Sequence, residues 1–397
     1  MRGSFVGVLG ILSLSLVALP ACRGESGSDG AGGDGAGGSV GDGSRPPATD
    51  TGNGNGTPTG ATASLDCGGH GCGVKQIALG VIAACVLLED TTVACYGGGI
   101  VGTLGRGAER PEVDPVPRRI PDLKNVAKIY GGGYSMCALL DDGTVTCWGP
   151  DQSANPYGAR PGDRFVVDGL PDVVDLAVAT SHTCALTSGG DVYCFGSNYF
   201  GELGDGSIDN SKKPVKAKIS GVTAIATGGE LSCAIIEGGA VSCWGTNDQG
   251  QLGRGDTDKL IHPDPSVVPE LGGPAKRIAA SSVTGAVCAA LEGGATKCWG
   301  EKIAGAPPAG ATEISVGWSH ACGREDAGAI TCWGASNKGQ LATGNTLRGA
   351  TSVVTGGHSS CAVLEEGKFA CWGDDSRGQL GSGRAGTTRP TPAVQHF

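Results

Sequence analysis

The sequence predicts an all-β repeat protein, and three observations carry that prediction. A unit of Cys, nine residues, Cys, an aromatic residue and Gly occurs seven times; a glycine recurs just past the middle of the nine-residue interval; and the flanking stretches alternate apolar and polar residues. Self-similarity at intervals of a few tens of residues is the mark of a solenoid or a propeller. The length of the repeating part, residues 67–397, is long for one ordinary core and suits a propeller.

The seven pairs are Cys85/Cys95, Cys137/Cys147, Cys184/Cys194, Cys233/Cys243, Cys288/Cys298, Cys322/Cys332 and Cys361/Cys371. Tyr96, Trp148, Phe195, Trp244, Trp299, Trp333 and Trp372 follow the second cysteines, each with a glycine after it. Within the intervals Gly143, Gly190, Gly239, Gly294, Gly328 and Gly367 hold the same place, and only the first unit departs, with Thr91. A tight turn that needs a positive φ explains a fixed glycine, so each unit reads as an antiparallel hairpin with its cysteines equidistant from the turn. Directly opposed residues at a non-hydrogen-bonded position lie about 4.5 Å apart between Cα atoms, within reach of a disulfide. Each pair is therefore expected to close as a cross-strand disulfide. Zinc sites bring cysteines within two to four residues of each other, so no metal ligand set is assigned. Each such loop contributes about 2 to 3 kcal/mol in the chain-entropy model.

The first residues predict export. Met1-Arg2 is a short positive start, Phe5 to Leu19 is apolar apart from Gly and Ser, and Leu19-Pro20-Ala21-Cys22 follows. The apolar run is short for a membrane span and fits a signal peptide over residues 1–21. Leu19 to Cys22 resembles the lipobox of bacterial lipoproteins, although Pro20 departs from it, and this resemblance makes Cys22 the expected lipid attachment site. Cysteine arithmetic agrees: of 17 cysteines, 14 form the seven pairs, Cys67 and Cys72 make a further close pair, and Cys22 is left over. Residues 22–66 are dominated by Gly, Ser, Asp, Thr and Pro and read as a flexible tether. The net charge of −10 argues against a nucleic-acid partner, which would demand a basic face.

Beyond each hairpin several units continue into Gly102-Thr-Leu-Gly105, Gly201-Glu-Leu-Gly204, Gly250-Gln-Leu-Gly253, Gly339-Gln-Leu-Ala342 or Gly378-Gln-Leu-Gly381. A proline-valine strand such as Pro115-Val-Pro117 or Pro214-Val-Lys216 comes next, then an apolar strand ahead of His-Thr-Cys-Ala-Leu or a variant. This order resembles the repeat of the regulator of chromosome condensation family, over residues 74 to 397. The resemblance implies a seven-bladed β-propeller. Two units depart from it: Pro150-Asp-Gln-Ser-Ala-Asn-Pro-Tyr157 replaces the Gly-Gln-Leu-Gly element after Trp148, and Lys302-Ile-Ala-Gly-Ala-Pro-Pro308 replaces both element and strand after Trp299. One or two blades are expected to be thinned at the outside. Propellers commonly close by sharing a blade between the termini, so Val394 in Arg389-Pro-Thr-Pro-Ala-Val394 is expected beside the strand near Ile77.

No catalytic constellation emerges. His182, His320 and His358 stand two or three residues before a repeated cysteine and follow the repeat, while His70, His262 and His396 have no recurrent setting. Gly-rich strings such as Tyr130-Gly-Gly-Gly-Tyr134 lack the Lys-Ser/Thr of a phosphate loop, and no cofactor is implied. The repeated Trp reads as core between blades. The family includes a nuclear exchange factor for the GTPase Ran, an activity that an exported, acidic, disulfide-linked chain would not share. The expectation is a monomeric, lipid-anchored protein of the bacterial cell envelope that binds a protein, peptide or glycan. Asp205-Gly-Ser-Ile-Asp-Asn210 and Asp256-Thr-Asp-Lys-Leu-Ile-His262 are its candidate recognition loops. A secreted inhibitor of the β-lactamase-inhibitor type, a polysaccharide-acting enzyme with its site in the central channel, and a purely structural envelope component are the alternatives. A channel lined by unlike acids, bases and histidines would favour the enzyme.

Overall fold

The computed structural model describes residue 65 and residues 72–107, 111–150, 163–269, 271–342 and 347–397. The chain divides into two compact units, Met1–Thr57 and Pro58–Phe397, and everything below concerns the second. Cys22, the signal peptide, most of the tether and Cys67 lie outside the described residues.

Seven antiparallel sheets follow one another along the chain. Blade 1 is β1 (Val74–Leu79), β2 (Ala83–Leu88), β3 (Val93–Gly98) and β4 (Val113–Arg119). Blade 2 is β5 (Val126–Gly132), β6 (Ser135–Leu140), β7 (Val145–Trp148) and a two-residue β8 (Phe165–Val166). Blade 3 is β9 (Val173–Val178), β10 (His182–Thr187), β11 (Val192–Gly196) and β12 (Ser211–Lys216). Blade 4 is β13 (Val222–Thr227), β14 (Leu231–Ile236), β15 (Val241–Thr246) and β16 (Ile261–Val267). Blade 5 has only β17 (Ala275–Ala280), β18 (Val287–Leu291) and β19 (Thr296–Trp299), and blade 6 only β20 (Ala311–Val316), β21 (His320–Glu325) and β22 (Ile330–Gly334) among the described residues. Blade 7 is β23 (Ala350–Gly356), β24 (Ser359–Leu364), β25 (Phe369–Asp375) and β26 (Thr387–Gln395). The first strands touch one another in order around the ring, β23 meeting β1, so they line the axis of an all-β, seven-bladed propeller.

In every blade the paired cysteines face each other in register: Cys85↔Cys95, Cys137↔Cys147, Cys184↔Cys194, Cys233↔Cys243, Cys288↔Cys298, Cys322↔Cys332 and Cys361↔Cys371. All seven pairs are bonded, with Cα atoms 4.0 to 4.1 Å apart. Blade 2 keeps this geometry although its outer strand is reduced to two residues: Cys147 is bridged to Cys137, with Cα atoms 4.0 Å apart, and pairs on its other side with Phe165 of β8. Cys72 is also held in a disulfide. The turn glycines have the positive φ expected of them, for instance 84° at Gly143 and 76° at Gly190. Most have a second reason to lack a side chain: the turn carbonyl accepts a hydrogen bond from the start of the next blade, as in Val222 N–H to Gly190 at 2.9 Å and Ala275 N–H to Gly239 at 2.8 Å. A Cβ on Gly239 would stand 2.5 Å from Pro274. Thr91 adopts the same left-handed conformation, φ 65°, and its carbonyl still accepts from Val126 N–H.

The apolar core is divided into seven, one cluster in each seam between neighbouring blades. Neighbouring residues on a strand point to opposite faces. The cysteines of one blade accordingly pack toward the next blade, while the aromatic residue beside them packs toward the preceding one, as Cys184 and Cys194 share a seam with Trp244 of blade 4. Four indoles donate to the second residue of the preceding Gly-Gln-Leu-Gly element: Trp148 to Thr103, Trp244 to Glu202, Trp299 to Gln251 and Trp372 to Gln340, at 2.8 to 3.1 Å. In three of these seams the last residue of the element, Gly105, Gly204 or Gly253, lies against the same ring, and a Cβ on Gly204 would fall 2.6 Å from Trp244 Nε1, whereas the seam of Trp372 has Ala342 there, at φ 48°.

Ring closure differs from the shared blade expected above. Val394 pairs with Ala370 in blade 7, and Ile77 with Val86 in blade 1, so each terminal strand completes its own blade. The termini still meet: Cys72 N–H donates to Phe397 O at 2.8 Å, and Phe397 packs against Tyr96 and Phe369. Closure is thus made by a seam like the other six, with Gly381 of blade 7 against the Tyr96 ring of blade 1.

Thr91→Gly removes a β-branched residue from a left-handed turn and should raise the denaturation midpoint, by roughly 0.5 to 1 kcal/mol after the larger entropy of the unfolded glycine chain is deducted. A lowered midpoint would contradict the strain argument. Gly204→Ala and Gly255→Ala both place alanine at positive φ, 70° and 85°, but only the first meets an indole, Gly255 having open space around it. Gly204→Ala should therefore be the costlier change by about 1 to 3 kcal/mol of overpacking in a denaturant titration, and equal losses would refute the seam contact.

Candidate functional site

Three places could carry function: the axial channel, the repeated His-Ser pairs, and the loops joining strands. The channel is a cavity of about 250 Å³ lined by first-strand residues including Gln76, Tyr130, Leu176, Thr227, Ser315 and Thr355. No histidine, carboxylate or arginine is among its lining residues. Polar side chains there connect blades: Gln76 exchanges hydrogen bonds of 2.7 and 2.9 Å with the backbone of Ile129, and Ser315 bonds both the amide and the hydroxyl of Thr355. At one end the loop after β17 crosses the axis. Ser282 Oγ accepts from Gly133 N–H of blade 2 at 3.1 Å, and its carbonyl accepts from Thr180 N–H of blade 3 at 3.0 Å. The convergence of unlike titratable groups that would favour a channel enzyme does not line this cavity.

His182 and His320 are buried in seams. Ser232 Oγ donates to Glu202 O at 2.9 Å, so His182 Nε2–H, also at 2.9 Å, donates to the serine oxygen and Nδ1 keeps its lone pair. His320, Ser360 and Gln340 O repeat the arrangement between blades 6 and 7. Desolvation pushes the two imidazoles down, to about 3 and about 4. The Ser181-His182-Thr183-Cys184 string holds no free thiol, because Cys184 is bridged to Cys194. These pairs fasten blades together. Among the described residues no group of three His, Cys, Asp or Glu is placed to hold a metal ion.

The loops differ from blade to blade. Strands alternate in direction, so the connections from first to second strand and from third to fourth strand emerge on one face of the ring, and the hairpin turns on the other. Asn198 fastens the loop holding Asp205 to Asn210, its Nδ2 donating to Ser207 O at 3.1 Å while its amide donates to Asn210 Oδ1 at 2.7 Å. Asn247 does the same in blade 4, with Nδ2 bonds to Asp256 and Asp258. Asp258 also holds Arg254 at 2.6 Å and His262 at 2.9 Å. The hydrogen bonds from Asn247 and His262 keep its carboxyl well below the usual carboxylate range.

Of the 13 exposed large hydrophobic residues among the described ones, nine lie on this loop face: Ile100, Val101, Tyr134, Tyr199, Phe200, Ile208, Leu260, Ile261 and Trp318. The other four, Val166, Val174, Val267 and Val394, are on strands. Tyr199 and Leu260 are the most open, at 66% and 69%. The blade 3 loop reaches the start of β16, into which the blade 4 loop runs, Gly206 N–H donating to Pro263 O at 3.1 Å. The opposite face presents carboxylates at its turns, among them Glu89, Asp90, Asp141, Asp142, Glu237, Glu292 and Glu365. The two loops named from sequence are part of the apolar sector; Tyr199 and Phe200 just before the first, and Trp318, were missed, because only the strand directions place them on the same side.

Comparison with known proteins gives the same class. The model described as regulator of chromosome condensation (RCC1) repeat matches residues 173–202, 311–340 and 350–379, and a second with that description matches 189–235. The human E3 ubiquitin-protein ligase HERC2 is 33% identical over 144 residues, 34% of this chain and 3% of that protein. Protein pim1 of Schizosaccharomyces pombe is 35% identical over 102 residues, 21% of this chain and 19% of that protein. The chain thus spans a small part of the length of these relatives. Among solved structures, human WBSCR16 shares the fold with a TM-score of 0.55 at 20% identity, covering 84% of each chain. Prp20p of Saccharomyces cerevisiae has a TM-score of 0.51 at 19% identity, over 81% of this chain and 76% of that one. The ectodomain of the receptor kinase CR4 of Physcomitrella patens has 0.50 at 23%, over 75% and 71%.

These similar proteins are eukaryotic, and they overturn the reading of the chain as a bacterial exported lipoprotein. The cell-envelope location, the lipid anchor as a membrane partner, the secreted inhibitor and the polysaccharide enzyme go with it. That reading rested on the positive start at Met1-Arg2, the apolar run from Phe5 to Leu19, the pattern Leu19 to Cys22 and the count that leaves Cys22 over, all within residues 1–22, which lie outside the described residues. No helix among the described residues is long and apolar enough to cross a membrane.

The buried histidines make stability depend on pH. Their folded pKa values lie below the unfolded value of about 6.5, so below pH 6.5 the unfolded chain binds protons that the folded chain refuses, and stability falls toward pH 4. The slope approaches about 1.4 kcal/mol per pH unit for each histidine. Chemical denaturation of the His182→Gln, His320→Gln double variant should show a shallower fall between pH 6.5 and 4 than the parent chain; parallel curves would refute the assignment.

Proposed function

We propose that the protein is a binding scaffold for another protein, held through the loop face of the propeller and centred on the adjoining loops of blades 3 and 4. The observation that carries this is the placement of nine exposed large hydrophobic residues on one face, with Tyr199, Phe200, Ile208 and Leu260 in two neighbouring loops and Ile261 at the start of β16. Aromatic and aliphatic anchors on a monomer's surface are characteristic of interfaces, and Tyr, Trp and Phe are enriched in them. The Asn198 and Asn247 networks hold these loops in shape before any partner arrives, which lowers the ordering cost of binding. The turn face, with its carboxylates, offers no comparable apolar surface among the described residues.

The relatives support the class of partner. Prp20p is described with binding properties toward Gsp1p and histones, and the yeast protein has been solved with Kap60 bound. A protein partner for this chain is consistent with those cases, while its identity is set by loops that are this chain's own. The lining of the channel favours binding over catalysis, since it carries no histidine, carboxylate or arginine, and Gln76, Ser315 and Thr355 in it are engaged between blades.

Affinity capture from cell extract, quantified by mass spectrometry, tests the reading with the parent and four variants of the full chain. Tyr199→Ala, Phe200→Ala and Leu260→Asp should each weaken capture of the bound protein by about tenfold or more, as truncation of interface anchors does. Glu237→Ala on the turn face should leave it unchanged. A partner retained by all three loop variants, or lost with Glu237→Ala, would move the interface elsewhere.

A further inference from the structure

Fourteen cysteines form the seven cross-strand disulfides, and they are not equally protected. Twelve are buried, Cys332 is half-buried, and Cys298 is exposed. The cause is the missing fourth strand. In four-stranded blades a fourth-strand residue pairs directly with the second cysteine, Arg118 with Cys95, Phe165 with Cys147, Val215 with Cys194, Ser266 with Cys243 and Ala393 with Cys371. Directly paired residues share a face of the sheet, so each of these side chains lies beside the disulfide. In blade 5 the strand β19 pairs with β18 alone, and residues 301–310 run past as coil, tied back by Gly310 N–H to Gly294 O at 2.7 Å.

We propose that Cys298 is a thiol-exchange site of the propeller, accepting a small thiol of the cysteine or glutathione class as a mixed disulfide. A thiolate attacks a disulfide sulfur in line with the bond it breaks. The bond runs from Cys288 on β18 to Cys298 on β19, so the in-line approach to Cys298 comes from the side where a fourth strand would lie, and that side is open. Cys288 is buried among Ala290, Ala311, Ile314 and Trp333 and is closed to attack. The step balances without an oxidant or reductant: the incoming thiolate sulfur bonds to Cys298 Sγ, the bond between Cys298 and Cys288 breaks, and the departing Cys288 sulfur takes up a proton. The apolar seam favours the neutral thiol there, and the Cys288 thiol stays next to the adduct, placed to expel the small thiol and restore the bridge. Cys322–Cys332 is the second candidate, its outer cysteine being half-covered.

The test treats the folded full chain with graded glutathione at mildly alkaline pH, quenches by acid and maleimide, and maps peptides. The expected first products are a glutathione adduct on Cys298 and a free thiol at Cys288, appearing about tenfold or more before modification of Cys361–Cys371, with Cys322–Cys332 between them. In strong denaturant the order should vanish. Exchange at Cys288–Cys298 no faster than at Cys361–Cys371 in the folded chain would overturn the proposal. So would an adduct on Cys288, or an order that persists after unfolding, since sequence and not the missing strand would then be its cause.

Discussion

The alternation of side chains along a strand is the constraint on which this molecule depends. Because a cysteine and the aromatic residue after it point to opposite faces, one short motif serves two seams: its disulfide fills the gap toward the following blade, and its ring fills the gap toward the preceding one. Every seam is therefore built from halves contributed by two units. No blade buries its faces alone, and a single unit would expose a disulfide on one side and a ring on the other. The last glycine of the Gly-Gln-Leu-Gly element follows from the same contact at Gly105, Gly204 and Gly253, where the next blade's indole occupies the space of a Cβ; the seam of Trp372 accommodates the methyl of Ala342 instead. So does the backbone carbonyl that the indole N–H meets. Phe195 stands where the other units have Trp or Tyr, and the unit before it is the one in which Pro150 to Tyr157 replaces that element.

Cost falls steeply from the axis outward, and this explains which strands the chain can do without. The second strand of blade 1 is buried at all six positions, whereas β16 and β26 have no buried residue. A fourth strand adds ladder hydrogen bonds but little apolar burial, so its loss in blades 5 and 6 leaves their seams in place. What changes is the cover over the third strand, and Trp299 and Cys298 are more open than their counterparts.

Much of this is legible in the sequence because it is local or periodic. The hairpins, the partners within each disulfide, the left-handed turn glycines and the thinning of blades 2 and 5 can be placed by counting residues, whereas the three-stranded blade 6, whose Gly339-Gln-Leu-Ala342 keeps the repeat, cannot. Thr91 shows how far counting reaches: the exception stands out by its position, yet that it keeps the positive φ of its six counterparts, without their chemistry, is a fact of the fold. Ring closure escapes the sequence for a related reason. A repeat has no intrinsic starting point, and Pro390 to Val394 looks the same whether it ends one unit or begins another. Its place is decided by the open edge of β25, 12 residues back along the chain and already in the same sheet. The loop face is only half legible. Asp205 to Asn210 and Asp256 to His262 announce themselves by departing from the repeat, but Tyr134 and Trp318 join them only once strand direction puts first-to-second and third-to-fourth connections on one side.

The division between axis and rim then follows from where polar groups can be left free. A first strand has one edge paired and one edge on the channel, and Gln76 and Ser315 on first strands satisfy neighbouring blades at Ile129 and Thr355. Altering them disturbs a seam. The exposed loop side chains face no such demand: Asn198 and Asn247 bind their loops internally, and the contact of the first loop with blade 4, Gly206 N–H to Pro263 O, is made by backbone. Tyr199, Ile208 and Leu260 stand on those internally fastened loops. In a ring whose every repeated residue is committed to a neighbour, the side chains free to meet another protein are the ones that do not repeat.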